Sequence, residues 1–226
     1  RTGIHDRMAP EGIPALAEEL MLERNISILE YTGGKLHVPT ISTKGSVDLI
    51  KKAKAAGLAI TCGVAVANLA FDDSALKEFD TNYKLDPPLR SKKDVTALRN
   101  ALEAGVIDVV VSDHMPQDIE SKELEFDLAD DGMISLQTAF SAVNEAMKDR
   151  ELDAVIEALT SKPRAILGVT PCAIEEGEDA NITIFVPSGE TLFNERENLS
   201  HSRNSPYLNK TLQGKVIGIV KGSKSH

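Results

Sequence analysis

The run at residues 106–112, VIDVVVS, is apolar almost without interruption. Such a strand is covered on both faces, and strands of that kind belong to parallel sheets flanked by helices. The flanking sequence supplies the helices. Ile13, Leu16 and Leu20 recur at spacings of three and four, with Glu18, Glu19 and Glu23 on other faces. That predicts a helix after Pro14 that stops at Gly33-Gly34. A strand over 35–41 (KLHVPTI) follows, then a helix over 45–56 halted by Gly57 and a strand over 58–64 (LAITCGV). Residues 83–89 (YKLDPPL) read as an extended third strand, because a residue before proline is pushed out of the helical region. Ser91-Lys92-Lys93-Asp94 resembles a capping box with Asp in place of Glu. Val95, Leu98 and Leu102 form the stripe of the next helix, which Gly105 ends. Residues 133–148 and 151–159 read as two more helices.

Strands alternating with helices predict an α/β chain of βα units, most simply part of a TIM-type (β/α) barrel. The tail differs. Residues 179–186 (DANITIFV) and 213–220 (QGKVIGIV) alternate apolar and polar positions around a polar stretch at 194–204. The expected division is a barrel portion over 1–170 and a small β appendage over 171–226. The chain opens on Arg1 within a polar stretch, so it is expected to be part of a longer protein.

Charge narrows the function. Lys and Arg number 25 against 35 Asp and Glu, a net charge of −10. That balance argues against nucleic acid or an anionic membrane surface as partner, since either requires a basic face. No apolar run approaches the ~20 residues of a membrane helix. Only Cys62 and Cys172 are present, so no disulfide framework is expected and the reducing cytoplasm is the expected location.

Barrel chemistry sits at the C-terminal ends of strands. Four such ends are expected: Pro39-Thr40, residues 63–68 (GVAVAN), Asp86, and residues 112–117 (SDHMPQ). Only the last looks reactive. Asp113 there suits a metal ligand or general base, or else a loop cap that accepts from backbone amides. His114 and His37 are expected as structural hydrogen-bonding partners, and His5, His201 and His226 as solvated. Lys51, Lys52 and Lys54 are expected to form a solvated helix face. No histidine pair has metal-ligand spacing, and there is no phosphate-cradling glycine loop or nucleophile elbow.

Several segments, in order, resemble the C-terminal part of a dihydroorotase of the amidohydrolase superfamily. They include GIPALAEEL (12–20), EYTGGKLHV (30–38), STKGSVDLI (42–50) and YKLDPPLRSKKD (83–94). GVIDVVVSDHMPQD (105–118), EFDLADDGMISLQTA (125–139), SKPRAILGV (161–169) and SRNSPYLNKTLQGKV (202–216) continue the match. Allantoinases and dihydropyrimidinases are the next resemblance. The likeness implies a (β/α) barrel with a small β-sandwich built from both chain ends. It also implies zinc-assisted opening and closing of a cyclic amide, dihydroorotate, in pyrimidine synthesis. Zinc would generate the hydroxide nucleophile and an aspartate would shuttle the proton.

Carried over residue by residue, the resemblance places Thr40 at a metal-binding histidine and Val66, Ala67 and Asn68 at a Pro-His-His segment that holds another ligand. Asp113 retains the strand-eight aspartate, as catalytic residue and metal ligand. Substrate positions fall on Asp86 (asparagine in the family), Gln117 (histidine), and residues 129–132, Ala-Asp-Asp-Gly, ending at Gly132 (Ala-Pro-x-Gly). Gly-Leu-Glu becomes Ser135, Leu136 and Gln137. The His-x-His motif and bridging lysine belong to the family's N-terminal half. Alanine cannot bind zinc, and threonine and asparagine are poor ligands beside imidazole or carboxylate. Asp86 and Asp130 would also repel a carboxylate substrate. The resemblance therefore implies a degenerate, inactive homologue with weak or absent zinc, kept for its shape. Expected partners are the missing N-terminal half, an aspartate carbamoyltransferase of the kind such inactive subunits scaffold, or a second copy. The competing expectation is an active cyclic amidohydrolase whose altered metal site the N-terminal half completes.

Overall fold

The computed structural model describes residues 13–170, 173–222, 224 and 225. His5, Cys172 and His226 lie outside the described residues. Helix α1 (Ala15–Thr32) leads to β1 (Leu36–Val38), α2 (Lys44–Ala55) and β2 (Ile60–Ala65). A short helix α3 (Val66–Ala70) and two 3₁₀ turns follow, then α4 (Lys92–Glu103) and β3 (Val109–Val111). The order β1-β2-β3 is parallel throughout, with Leu36 opposite Ile60 and Gly63 opposite Val109. Ile41, Ile50, Leu69, Leu98, Leu102 and Ile107 are fully buried around this sheet, which is the apolar contact that drives helices onto both of its faces. The far edge of β1 pairs with no strand among the described residues.

Three strands stand where four were expected. Residues 83–89 do not pair. Pro87 and Pro88 have no N–H to give a ladder, and the peptide bond before Pro87 is cis. The strand at 106–112 is also shorter than its apolar run. The Val106 and Ile107 amides turn back to the Ala101 carbonyl at 2.8 and 3.1 Å, so bonding to β2 starts with the Asp108 amide on the Cys62 carbonyl at 2.9 Å, and the paired register starts at Val109. Helix stops fall at Gly33 and Gly57 as expected, with Gly57 at φ 81°. The Ser91 cap forms, its hydroxyl taking the Asp94 amide. The reciprocal half does not: the Asp94 carboxylate instead accepts from the Ser91 hydroxyl and from the Lys44 amide at 2.9 Å, tying α4 to the start of α2.

Beyond β3 come α5 (Ile119–Lys122), α6 (Ala139–Ala146), α7 (Leu152–Leu159) and α8 (Ser161–Leu167). The helix expected over 133–148 forms only in its second half. Residues 133–138 stay open because their amides have other acceptors: Ile134 donates to the Asn204 carbonyl and Ser135 to the His114 ring. The tail is an antiparallel ribbon, β4 (Asn181–Phe193) and β5 (Lys210–Lys221), with a two-residue β6 (Lys224–Ser225). Both long strands exceed the alternating runs that announced them. The described residues form one sheet here, not the two a sandwich needs. The ribbon is fastened to α6 by Ser141 donating to the Gly214 carbonyl at 2.7 Å, Asn144 donating to Pro187 and Gln213, and Phe140 edge-on to Phe185.

The loop leaving β1 is set by a buried ion pair. Glu18 accepts from the Ser42 and Thr43 amides and from the Ser42 and Ser46 hydroxyls. Arg90, 7% exposed, lies 3.9 Å from that carboxylate and donates to Ser42 Oγ and to the Ile13 carbonyl. Lys54, expected in solvent, instead reaches Asp108 at 2.8 Å and the Val106 carbonyl, joining α2 to the entry of β3. Removing one partner of a buried pair leaves the other uncompensated. Arg90→Ala is expected to lower unfolding free energy by about 3 kcal/mol, read by urea denaturation of the full-length protein.

Candidate functional site

Asp113 sits where β3 ends, in the left-handed region at φ 52°. A strand tip fixes its Cα rigidly, and the positive φ turns the chain sharply into the 114–117 loop. Its carboxyl makes no hydrogen bond among the described residues, so it caps nothing. It is half-buried, and desolvation followed by the neighbouring Asp86 carboxylate holds it above the usual carboxylate range. Asp86 itself is exposed.

Among the other candidate positions, the Gln117 and Asn68 side chains are engaged with the protein's own backbone. Gln117 donates from its side-chain amide to the Asp131 carbonyl at 2.7 Å. Asn68 is 2% exposed and donates to the Pro88 carbonyl at 3.1 Å, with Ala67 buried beside it in α3. Thr40 follows the end of β1 and is half-buried. Gly132 has φ 129°, and a Cβ there would come within 2.9 Å of the Met115 carbonyl oxygen. No side chain fits between the two loops.

The 127–132 loop is held by two ammonium groups that the sequence reading did not single out. Lys84 donates to the Asp127 and Ala129 carbonyls at 3.0 and 2.6 Å. Lys122, 7% exposed, donates to the Asp130 and Gly132 carbonyls. Burial pushes Lys122 below the ordinary lysine value, against the pull of Asp131 in the opposite direction. Both lysines lie in polar surroundings in the sequence, where nothing separates a backbone clamp from a solvated side chain. The carbonyls of residues 129–132 therefore face lysines, Gln117 and Asn204.

Histidines behave as expected of structural residues, with one difference. His114 accepts the Ser135 and Leu136 amides at Nδ1, 3.0 and 3.2 Å, which puts the proton of a neutral ring on Nε2. His37 bonds Thr61 Oγ1 at 2.8 Å, but its residue is exposed rather than packed. His201 is exposed. Beside His114, a pocket of about 350 Å³ opens between the 134–138 loop and residues 198–200, walled by Leu136, Leu199 and Phe193. Gln137 closes one end by accepting the Leu199 amide and donating to Glu197.

This donor set does not suit a zinc centre. Among the described residues no three His, Cys, Asp or Glu side chains converge on one point. Asp113 is the one member of the family's ligand positions here that retains a zinc-binding side chain, and a catalytic zinc normally takes three protein ligands.

A parallel sheet with flanking helices, carrying an aspartate beyond its last strand, is an arrangement of the α/β barrel class. The amidohydrolase family model matches residues 3–224, and the chain belongs to that family. Among curated proteins it is 34% identical to a dihydroorotase of Geotalea daltonii over 96% of this chain and 52% of that protein. It is 39% identical to a dihydroorotase of Caldanaerobacter subterraneus over 94% of this chain and 50% of that protein. The chain thus spans about half the length of the relatives it matches. Among solved structures, L-hydantoinase (dihydropyrimidinase) from Arthrobacter aurescens matches with TM-score 0.87 at 23% identity, over 95% of this chain and 49% of that one. An inactive dihydroorotase-like domain of a Chaetomium thermophilum CAD-like multifunctional protein matches with TM-score 0.66 at 20% identity, over 90% of this chain and 54% of that one. These structural likenesses support the barrel fold. No helix of the described residues is long and apolar enough to cross a membrane.

The raised Asp113 pKa has a signed consequence. A carboxyl raised in the folded state favours folding when protonated, and that contribution fades as pH climbs past its unfolded value near 3.8 and through the folded one. Asp113→Asn is therefore expected to be more stable than the parent at neutral pH, with the difference closing below pH 3. Denaturation midpoints followed by circular dichroism across that range check it.

Proposed function

We propose that this chain is the barrel portion of a dihydroorotase-like protein that has lost cyclic-amide hydrolysis and is kept for its shape. The observation that carries the reading is the engagement of the altered positions. Gln117 and Asn68, where the family places histidines, donate to backbone carbonyls of the protein itself. Thr40 and Ala67 offer zinc no competent ligand. Asp86, exposed beside Asp113, adds negative charge where an anionic dihydroorotate would have to sit. One structural neighbour is an inactive dihydroorotase-like domain, in keeping with this reading.

The unpaired edge of β1 is the natural seat for further barrel strands, supplied by the other half of the protein. Residues 171–226 would join strands from that half in a β-sandwich. The assembled barrel would act in the cytoplasm as a structural subunit, with an aspartate carbamoyltransferase or a second copy as its partner. A second reading is favoured by Asp113 alone. Its free, strand-tip carboxyl is placed as a general base would be, and a hydrolase with ligands drawn from the other half would use it so.

Metal content separates the two. Full-length protein expressed with excess zinc is expected to hold below roughly 0.1 zinc per chain by mass spectrometry. One or two tightly held zincs per chain would overturn the structural reading.

A further inference from the structure

We propose that the outer face of the barrel carries a binding site for a small organic phosphate, in the cleft between α4, α6 and the start of β5. The cleft encloses about 420 Å³, within the range of small-molecule sites. It shares no residue with the strand-tip site, so it stands or falls apart from the reading above.

Three cations line it, Arg99, Lys148 and Lys210, with Glu145 as the one acid on the lining and Asp72 and Arg150 acting on Arg99 from beside it. In a chain of net charge −10 that local excess is unusual. Neither lysine ammonium has an ion-pair or hydrogen-bond partner among the described residues. Arg99 donates through Nε to the Leu69 carbonyl at 2.8 Å, which fixes the plane of its guanidinium. Its two terminal nitrogens have no partner among the described residues and form the fork that phosphate accepts in bidentate fashion.

The second observation is Tyr207. This residue is 6% exposed and lines the cleft, yet its hydroxyl has no hydrogen bond among the described residues. The hydroxyl is thus left for a ligand oxygen to accept from, with Glu145 and Tyr83 as its electrostatic neighbours. Phe71, with its ring 5.2 Å from that of Tyr207, completes an aromatic wall beside the cations. The cleft thus offers a dianion site next to an apolar surface. Glu145 can accept from a ligand hydroxyl while lowering overall anion affinity. That combination matches a phosphate ester with a planar or apolar body better than inorganic phosphate.

Phenyl phosphate is the probe. Titrated at low ionic strength into the full-length protein and followed calorimetrically, it is expected to bind one site per chain, more tightly than inorganic phosphate. Lys148→Ala with Lys210→Ala, both at exposed positions, is expected to weaken binding about tenfold or more, the scale of a lost charge-assisted bond. Glu145→Gln is expected to tighten it. Tyr207→Phe should weaken it with the fold intact by circular dichroism. Absence of saturation below about 10 mM, or unchanged affinity in the double lysine variant, would overturn the proposal.

Discussion

One buried amide holds the strand-tip loops in register. Asn204 is 5% exposed and comes from the tail, yet its side chain donates to the Met115 and Gly132 carbonyls at 3.0 and 3.1 Å. Its side-chain oxygen accepts the Gln117 amide, and its own carbonyl takes the Ile134 amide. Three segments far apart in sequence thereby meet at one residue. Each bond is of modest net value, about 1 kcal/mol. Losing the amide would remove three such bonds at once, those to the Met115 and Gly132 carbonyls and the Gln117 amide, with Lys122 still donating to Gly132. The barrel and the ribbon are therefore coupled at the site face, in addition to the α6 contacts behind it.

The loops that Asn204 joins form a network that satisfies itself. Lys84, Lys122 and Gln117 draw successive carbonyls of the 127–132 loop inward. These carbonyls are already bonded to the protein itself, while the Asp113 carboxyl takes no hydrogen bond among the described residues. A carboxylate ligand would have to displace internal hydrogen bonds and then approach Asp86 and Asp113. Both steps oppose binding. The same network gives the face a fixed shape.

Much of the frame was legible in the sequence because it rests on local rules. Gly33 and Gly57 ended helices where their spacing said they would, and Ser91 capped α4. The parallel sheet followed from VIDVVVS. What failed depended on partners distant in sequence. Residues 133–138 had helical spacing but lost their amides to Asn204 and His114. The capping-box carboxylate of Asp94 went to Lys44 instead of back to its own helix. Residues 83–89 were extended, as the prolines required, but extension alone does not make a paired strand. Of the candidate site, Asp113, Gln117 and Gly132 could be placed by resemblance. Lys84, Lys122 and Asn204 could not, since a lysine that clamps carbonyls reads like any surface lysine.

The proposed loss of cyclic-amide chemistry at these loops is read directly by turnover. Full-length protein, loaded with zinc, would be assayed for interconversion of dihydroorotate and carbamoyl aspartate. A rate indistinguishable from buffer is expected. Turnover that disappears in Asp113→Asn would contradict it and establish a working site built around that aspartate.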